Sequence, residues 1–195
     1  MEASSEIQAL IRRYDYAAPR YTSYPTAVQF SSAVGGRERE EWLRAVPAEL
    51  ALSLYIHIPF CRTLCFYCGC NTKAMGDHYS PAGSYVDFLC REIRKTVEIL
   101  GRRQAVSQIH LGGGTPTFLQ LPDMKRLFEC LRESFAVDGK AEISIEIDPR
   151  LIKEAEAREL AALGFNRVSL GVQDFDPAVQ KAIGRWQPYE SVVDV

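Results

Sequence analysis

No apolar run in this 195-residue chain approaches the ~18 residues that a membrane-spanning helix needs, so none is expected. An excess of charge of one sign is missing too: 23 Lys and Arg stand against 25 Asp and Glu, a net charge of −2, which argues against a nucleic-acid groove. No secretory leader is evident. Six cysteines in 195 residues are too sparse for the disulfide framework of a small secreted domain, and a reducing, cytoplasmic setting is expected. A second Cys-x2-Cys or a His-x3-His, the usual partner pair of a structural zinc site, is also lacking. The remaining composition, 47% hydrophobic and 25% charged, is that of a globular fold able to bury a core.

What the chain does have is concentration. Four of the six cysteines fall between Cys61 and Cys70, directly after an apolar run, and three of them form Cys-x3-Cys-x2-Cys at 61, 65 and 68. A loop this short can wrap three thiolates around one compact inorganic centre, since each residue spans at most ~3.5 Å. Soft thiolates suit an iron–sulfur cluster or zinc. Without a second ligand pair the stronger reading is a [4Fe–4S] cluster with three protein ligands, one iron being left for another group.

Around that loop the sequence is well punctuated. Ile7, Leu10, Ile11 and Tyr14 fall at helical spacing, and a second short helix is expected from Arg37 to Val46. Between them, Pro19 to Pro25 has proline at both ends and no period, so an extended arm is expected. From residue 52 strands and helices alternate four times, with strands expected near 52–58, 106–111, 141–147 and 167–173. The first long helix is placed at Ser84 to Gly101 on a capping pattern of Ser84 with Asp87, and carries the stripe Val86, Leu89, Cys90, Ile93, Val97, Leu100. The next three start at Pro122, after Asp148-Pro149 and after Asp176-Pro177, with Gly139, Gly164 and Gly184 at or past their ends. Repeated βα units of this kind form a parallel sheet.

Strand parity says more. Leu54, Ile56, Ile58; Ile109, Leu111; Ile143, Ile145, Ile147; and Val168, Leu170, Val172 lie on one face, which packed helices would cover. The other face is polar, with Tyr55 and His57, Gln108 and His110, Glu142, Ser144 and Glu146, then Ser169, Gly171 and Gln173. An open doubly wound sheet would be apolar on both faces. A sheet curled around a polar, ligand-filled lumen fits, so the fold class is α/β, a partial TIM-like barrel with its reacting groups at the carboxyl ends of the strands. After the second strand, Gly112-Gly113-Gly114-Thr115-Pro116 removes three side chains in a row, which is expected to let backbone N–H groups approach a ligand. Cys90 and Cys130 read as buried thiols.

Cys-x3-Cys-x2-Cys with Tyr67 before the last cysteine resembles the signature of the radical S-adenosylmethionine (SAM) enzymes. The flanking Tyr55-Ile56-His57-Ile58-Pro59-Phe60, Cys68-Gly69-Cys70-Asn71, Gly112 to Thr117, Glu142 to Pro149 and Gly171 to Phe175 narrow it, within that superfamily, to the oxygen-independent coproporphyrinogen III oxidases. The resemblance runs from about Pro19 to the last residue.

The resemblance implies a radical-SAM barrel of six βα units, of which four are present, in residues 51–195, preceded by a helical and extended arm at 1–50. The chain is therefore expected to lack the C-terminal part of the barrel. It implies an oxidoreductase that decarboxylates coproporphyrinogen III to protoporphyrinogen IX in haem biosynthesis. A 5′-deoxyadenosyl radical made from SAM would start that chemistry. It implies Cys61, Cys65 and Cys68 as ligands of a [4Fe–4S] cluster, and Tyr55, Tyr67, Gly113, Gly114, Thr115, Glu146, Gln173 and Arg185 as SAM contacts, with two SAM molecules. Tyr55, His57 and Glu146 are the expected catalytic groups, and Arg20, Tyr21 and Tyr24 of the arm are expected to meet a propionate or pyrrole. An external electron donor and a monomeric state are expected, with no membrane or nucleic-acid partner. Cys70 is expected near the cluster but off the metal. Rival readings are a haem-trafficking relative and an electron-carrying ferredoxin-like module, which would want a fourth ligand.

Overall fold

A computed structural model describes residues 5–15 and 26–195 of the chain; the expected arm from Pro19 to Pro25 lies outside the described residues. The chain divides into two compact units, Met1–Arg39 and Glu40–Val195. The first contains helix α1 (Ser5–Tyr14), whose first turn holds Glu6 and whose last turn holds Arg12 and Arg13, the favourable order for a helix dipole. Helix α2 (Gly36–Arg44) spans the division between the units and carries an Arg44–Glu40 pair one turn apart.

The second unit is built on a four-stranded parallel sheet of β1 (Leu52–Ile58), β4 (Ala105–Gly113), β5 (Ala136–Ile147) and β6 (Arg167–Leu170), hydrogen-bonded in that order. Chain order equals spatial order, as in a barrel wound strand by strand; a doubly wound sheet would reverse direction part-way. Two-residue strands β2 (Phe60–Cys61) and β3 (Lys73–Ala74) form a separate parallel pair. The crossovers are α3 (Ser80–Leu100), α4 (Leu121–Ser134) and α5 (Glu154–Leu163), followed by the short helices α6 (Pro177–Ala182) and α7 (Tyr189–Val193).

One face of the sheet makes the core. Ile56, Ile58, Val106, Ile109, Leu111, Ile143, Ile145 and Ile147 are buried against Val86 and Cys90 of α3, Leu127 and Leu131 of α4, and Leu160 and Leu163 of α5. Each such side chain contributes ~1.5–3 kcal/mol on leaving water. Phe128 and Phe165 add an edge-on ring contact at 4.8 Å. A second aromatic group, Phe60 with Tyr85 at 5.3 Å and Phe118 with Tyr79 at 4.9 Å, underlies the start of the cysteine loop.

Four boundaries differ from the sequence expectation. Helix α3 starts at Ser80, not Ser84, because Pro81 fits its first turn, where a missing N–H costs nothing. It does end at Gly101, whose φ of 70° lets its N–H donate to the Val97 and Glu98 carbonyls. Gly139 closes no helix: α4 stops at Ser134, Phe135 turns extended with its ring buried, and β5 already pairs Ala136 with Ala105. Strand β6 stops at Leu170, short of the expected 173, because the chain turns there: Val172 N–H donates back to the Leu170 carbonyl at 3.0 Å, and Gln173 then takes φ of 68°. Helix α5 starts at Glu154, beyond a single tight turn at Pro149–Leu151, and not directly after Asp148-Pro149.

The expectation that helices cover the outer face also fails at the fourth strand. Val168 is 56% exposed. The first three strands are covered as expected.

Candidate functional site at the strand ends

Strand β1 leads through Pro59 into β2, and the β2–β3 pair ties the two ends of the cysteine loop together. Lys73 N–H donates to the Pro59 carbonyl at 2.7 Å, Met75 N–H to Cys61 at 2.8 Å and Gly76 N–H to Arg62 at 3.0 Å. The 11 residues between Cys61 and Lys73 are thus a closed loop, although no sequence signal marks so short a pair. Within it Cys68 N–H donates to the Cys65 carbonyl at 3.1 Å, a turn that brings those two thiols round. Phe66 N–H donates to the Ile183 carbonyl at 3.0 Å, and the Phe66 ring lies where a Cβ at Gly184 would be, 3.1 Å away. Sequence-distant residues therefore pin the loop from outside.

The glycine row beside it does something other than expected. Its N–H groups are taken by the protein itself: Gly113 donates to Glu146 Oε2 at 3.3 Å, Gly114 to the Ile58 carbonyl at 2.8 Å and Thr115 to the Phe60 carbonyl at 2.8 Å. They do not wait for a ligand. What the missing side chains provide is room. A Cβ at Gly112 would sit 3.0 Å from His110 Nε2 and 3.1 Å from Glu146 Cδ and Tyr55 Cε2; one at Gly113, where φ is 114°, would strike the His57 ring at 2.7 Å. One at Gly114 would strike the Phe60 carbonyl oxygen at 2.7 Å and lie 3.0 Å from Cys61 Sγ. The turn thus lets four side chains and the first thiol converge.

A cavity of about 400 Å³ lies between loop and strand ends. Cys61, Cys65, Cys68 and Cys70 line one wall with Tyr67; Gly113, Gly114 and Thr115 line the floor; Glu146, Gln173 and Arg185 complete it. All but two of the expected site residues meet there. Tyr55 and His57 stand beside the cavity on the lumen face, joined to each other by a 3.1 Å bond from Tyr55 Oη to His57 Nδ1. His57 Nε2 lies 2.8 Å from the Asn71 carbonyl, which can only accept, so Nε2 carries the proton and Nδ1 accepts from tyrosine. This histidine ties β1 to the far end of the cysteine loop. A larger cavity of about 570 Å³, between the starts of α4 and α5, contains no cysteine and shares Arg150 with this one.

Two groups here escaped the sequence reading. Asp148 and Arg150, expected only to start a helix, form a forked ion pair with bonds of 2.9 and 2.6 Å, and Asp148 is 3.1 Å from Arg185. Burial pushes the Asp148 carboxyl up, but the hydrogen bonds from Arg150 and the charge of Arg185 outweigh it and hold it below its ordinary range. Strand parity contained the signal: Asp148 follows Glu146 by two, on the lumen face. Arg185 is buried, with Nη2 donating to the Gly171 carbonyl at 2.7 Å, Nε to Gln187 Oε1 at 3.0 Å, and Nη1 3.6 Å from Cys65 Sγ.

Thr115 Oγ1 donates to Cys61 Sγ at 3.5 Å and burial pushes that thiol's pKa up. Among the described residues no three His, Cys, Asp or Glu side chains close around a single metal ion. Three thiols of one short loop that border one cavity suit an iron–sulfur cluster, whose irons take soft thiolate ligands. Cys90 and Cys130 are buried away from this site, where Cys130 Sγ lies 3.7 Å from the Cys90 carbonyl.

The family profile of the radical SAM superfamily matches residues 55–195. This chain belongs to the radical SAM superfamily. It is 47% identical over 186 residues to the oxygen-independent coproporphyrinogen III oxidase of Escherichia coli (strain K12), covering 94% of this chain and 40% of that protein. To the protein of the same description from Paracoccus denitrificans it is 43% identical, over 97% of this chain and 42% of the relative. A solved structure described as the coproporphyrinogen III oxidase HemN from Escherichia coli, a radical SAM enzyme, superposes with a TM-score of 0.84 at 44% identity, covering 95% of this chain and 40% of that one. The four-stranded sheet is thus a partial radical SAM barrel. The chain spans about two fifths of the length of these relatives. Radical SAM membership brings a [4Fe–4S] cluster and SAM as cofactors. No helix of the described residues is long and apolar enough to cross a membrane.

Proposed function

We propose that this chain is the cluster- and SAM-binding part of an oxygen-independent coproporphyrinogen III oxidase. The observation that carries the reading is the meeting, in one cavity, of three thiols from a single loop with Glu146, Gln173 and Arg185 from three other segments. Cys61, Cys65 and Cys68 would hold the cluster, with Cys70 off the metal. When bound, the cluster and SAM supply a one-electron reduction that yields a hydrogen-abstracting radical.

The chain's residues have simpler tasks. Glu146, held at one oxygen by Gly113 N–H, presents carboxylate charge to the cavity and would accept from the ammonium of SAM. Arg185 offers buried positive charge, and its ion pair with Asp148 fixes where that charge lies. Gln173 is held in a left-handed conformation at the cavity edge, and such strain in a non-glycine residue commonly marks a ligand site. Tyr55 and Tyr67, whose pKa values are pushed up by partial burial, stay neutral, Tyr67 in the cavity wall and Tyr55 beside it. The substrate would be a porphyrinogen, with one propionate losing carbon dioxide to leave a vinyl group. Two SAM molecules, an external electron donor and the cytoplasm belong to the same proposal, which the all-free cysteines suit.

The test is anaerobic assay of the full-length enzyme containing this chain, reconstituted with iron and sulfide, with coproporphyrinogen III and SAM. SAM consumption with vinyl product is expected. Glu146→Ala should weaken SAM binding by ~1–3 kcal/mol while the cluster spectrum persists. Haem transfer without decarboxylation would favour the trafficking reading instead.

A further inference from the structure

His110 is an ionisable side chain packed against the site that the proposed chemistry leaves without a task. It lies on the lumen face of β4, where register sets it opposite Tyr55 on one neighbouring strand and Ser144 on the other. Its ring stacks on Tyr55 at 5.8 Å and 21°, its Nδ1 is 2.8 Å from Ser144 Oγ, and its Nε2 is 3.5 Å from Glu146 Oε1. Gly112 is what allows the approach, since a Cβ there would be 3.0 Å from His110 Nε2 and 3.1 Å from Glu146 Cδ.

Resting on the SAM-binding reading of this cavity, we propose that His110 is a positioning residue that orients Glu146, with Ser144 setting which of its nitrogens faces that carboxylate. The Ser144 hydroxyl decides the tautomer of the ring. If the Ser144 hydroxyl donates to Nδ1, the neutral ring carries its proton on Nε2 and donates to Glu146. If the hydroxyl instead turns to the Ile109 carbonyl, 3.4 Å away, Nδ1–H donates to Ser144 and the Nε2 lone pair would face the carboxylate. The first arrangement presents Nε2–H to Oε1, and it is the one in which His110 holds Glu146. With Gly113 N–H on Oε2, the carboxylate is held at each oxygen by a different group of β4, and its plane is fixed before SAM arrives. The 3.5 Å separation is at the loose end of the range, and such bonds commonly tighten once the ligand is in place. A carboxylate fixed in advance binds its cation more tightly because less ordering is left to do.

The test is SAM titration calorimetry on the cluster-loaded protein, with iron content and the cluster spectrum measured beside it. His110→Leu removes the donor and is expected to weaken SAM binding about tenfold with cluster content unchanged. His110→Gln, whose amide can place a donor near Nε2, is expected to restore affinity to within about threefold. In a Glu146→Gln background, His110→Leu is expected to cost nothing further. Should the leucine variant fold poorly, Ser144→Ala carries the same question, with a loss of about threefold expected. Equal losses in the leucine and glutamine variants, or a full His110 effect without the Glu146 carboxylate, would mean mere packing and overturn the proposal. So would unchanged affinity in both His110→Leu and Ser144→Ala. Failure of the unmutated, cluster-loaded protein to bind SAM would be distinct, because it would remove the SAM site itself.

Discussion

The cysteine loop and the strand ends facing it border the same cavity and are held in opposite ways. The strand ends are internally cross-braced: Tyr55, His57, His110, Ser144 and Glu146 contact one another, over a sheet whose hydrophobic face is buried. The loop has one internal turn bond, Cys68 to Cys65, and otherwise leans on others, through the β2–β3 pair, Phe66 at Ile183 and His57 at Asn71. Cys61, Cys65 and Cys68 are half-buried and Cys70 is exposed. The strand ends are therefore a platform set by folding, whereas the loop is shaped for a metal centre that would complete it.

That contrast breaks most visibly at the thiols. Cys61→Ser, Cys65→Ser and Cys68→Ser should each lose the cluster outright in iron assays and visible spectra, while Cys70→Ser keeps it and Glu146→Ala keeps it. Equal cluster loss in the Cys70 variant would mean that the loop carries no open iron site. Next in size, Gly114→Ala pushes a methyl group into the Phe60 carbonyl, which is backbone and cannot swing aside. A loss of ~1–3 kcal/mol in chemical denaturation is expected, with reduced cluster loading, since the platform then displaces the loop. Gly139→Ala, which meets no atom within 4 Å, should change neither.

Acid probes the ion pair at the junction. The Asp148 carboxyl is held below its ordinary value of 3.8, so its stabilising contribution is present above that pH and is lost as pH falls through the depressed value. Asp148→Asn should lower the melting temperature near neutral pH, and its gap from the unmutated protein should shrink as pH drops below about 4. A gap independent of pH would show that charge is not what holds Arg185. The smallest effect sharpens the platform side: Tyr85→Phe removes a 2.8 Å bond to the His57 carbonyl and should cost ~1 kcal/mol of stability, with cluster and SAM binding intact.

Much of this was legible in the chain, and the reasons are local. Alternation in Leu54 to Ile58 and Ile143 to Ile147 marks one buried face, because successive side chains of a strand point to opposite sides. Gly101 and Gly164 mark helix ends because each takes a positive φ. The spacing of Cys61, Cys65 and Cys68 allows a common centre because the chain between them is short enough to bring three thiols into one loop. Cavity residues as distant as Arg185 were legible only through resemblance.

Tertiary structure alone decided who uses what. That the N–H groups of Gly113, Gly114 and Thr115 serve Glu146, Ile58 and Phe60 follows from how β1, β4 and β5 lie side by side. That Asp148 holds Arg185, and not just its own turn, depends on the path after β6 bringing Arg185 back beneath β5. The row Tyr55, His110, Ser144 exists because of strand register, and no one segment encodes register; it is fixed when the hydrophobic faces of all the strands are buried together.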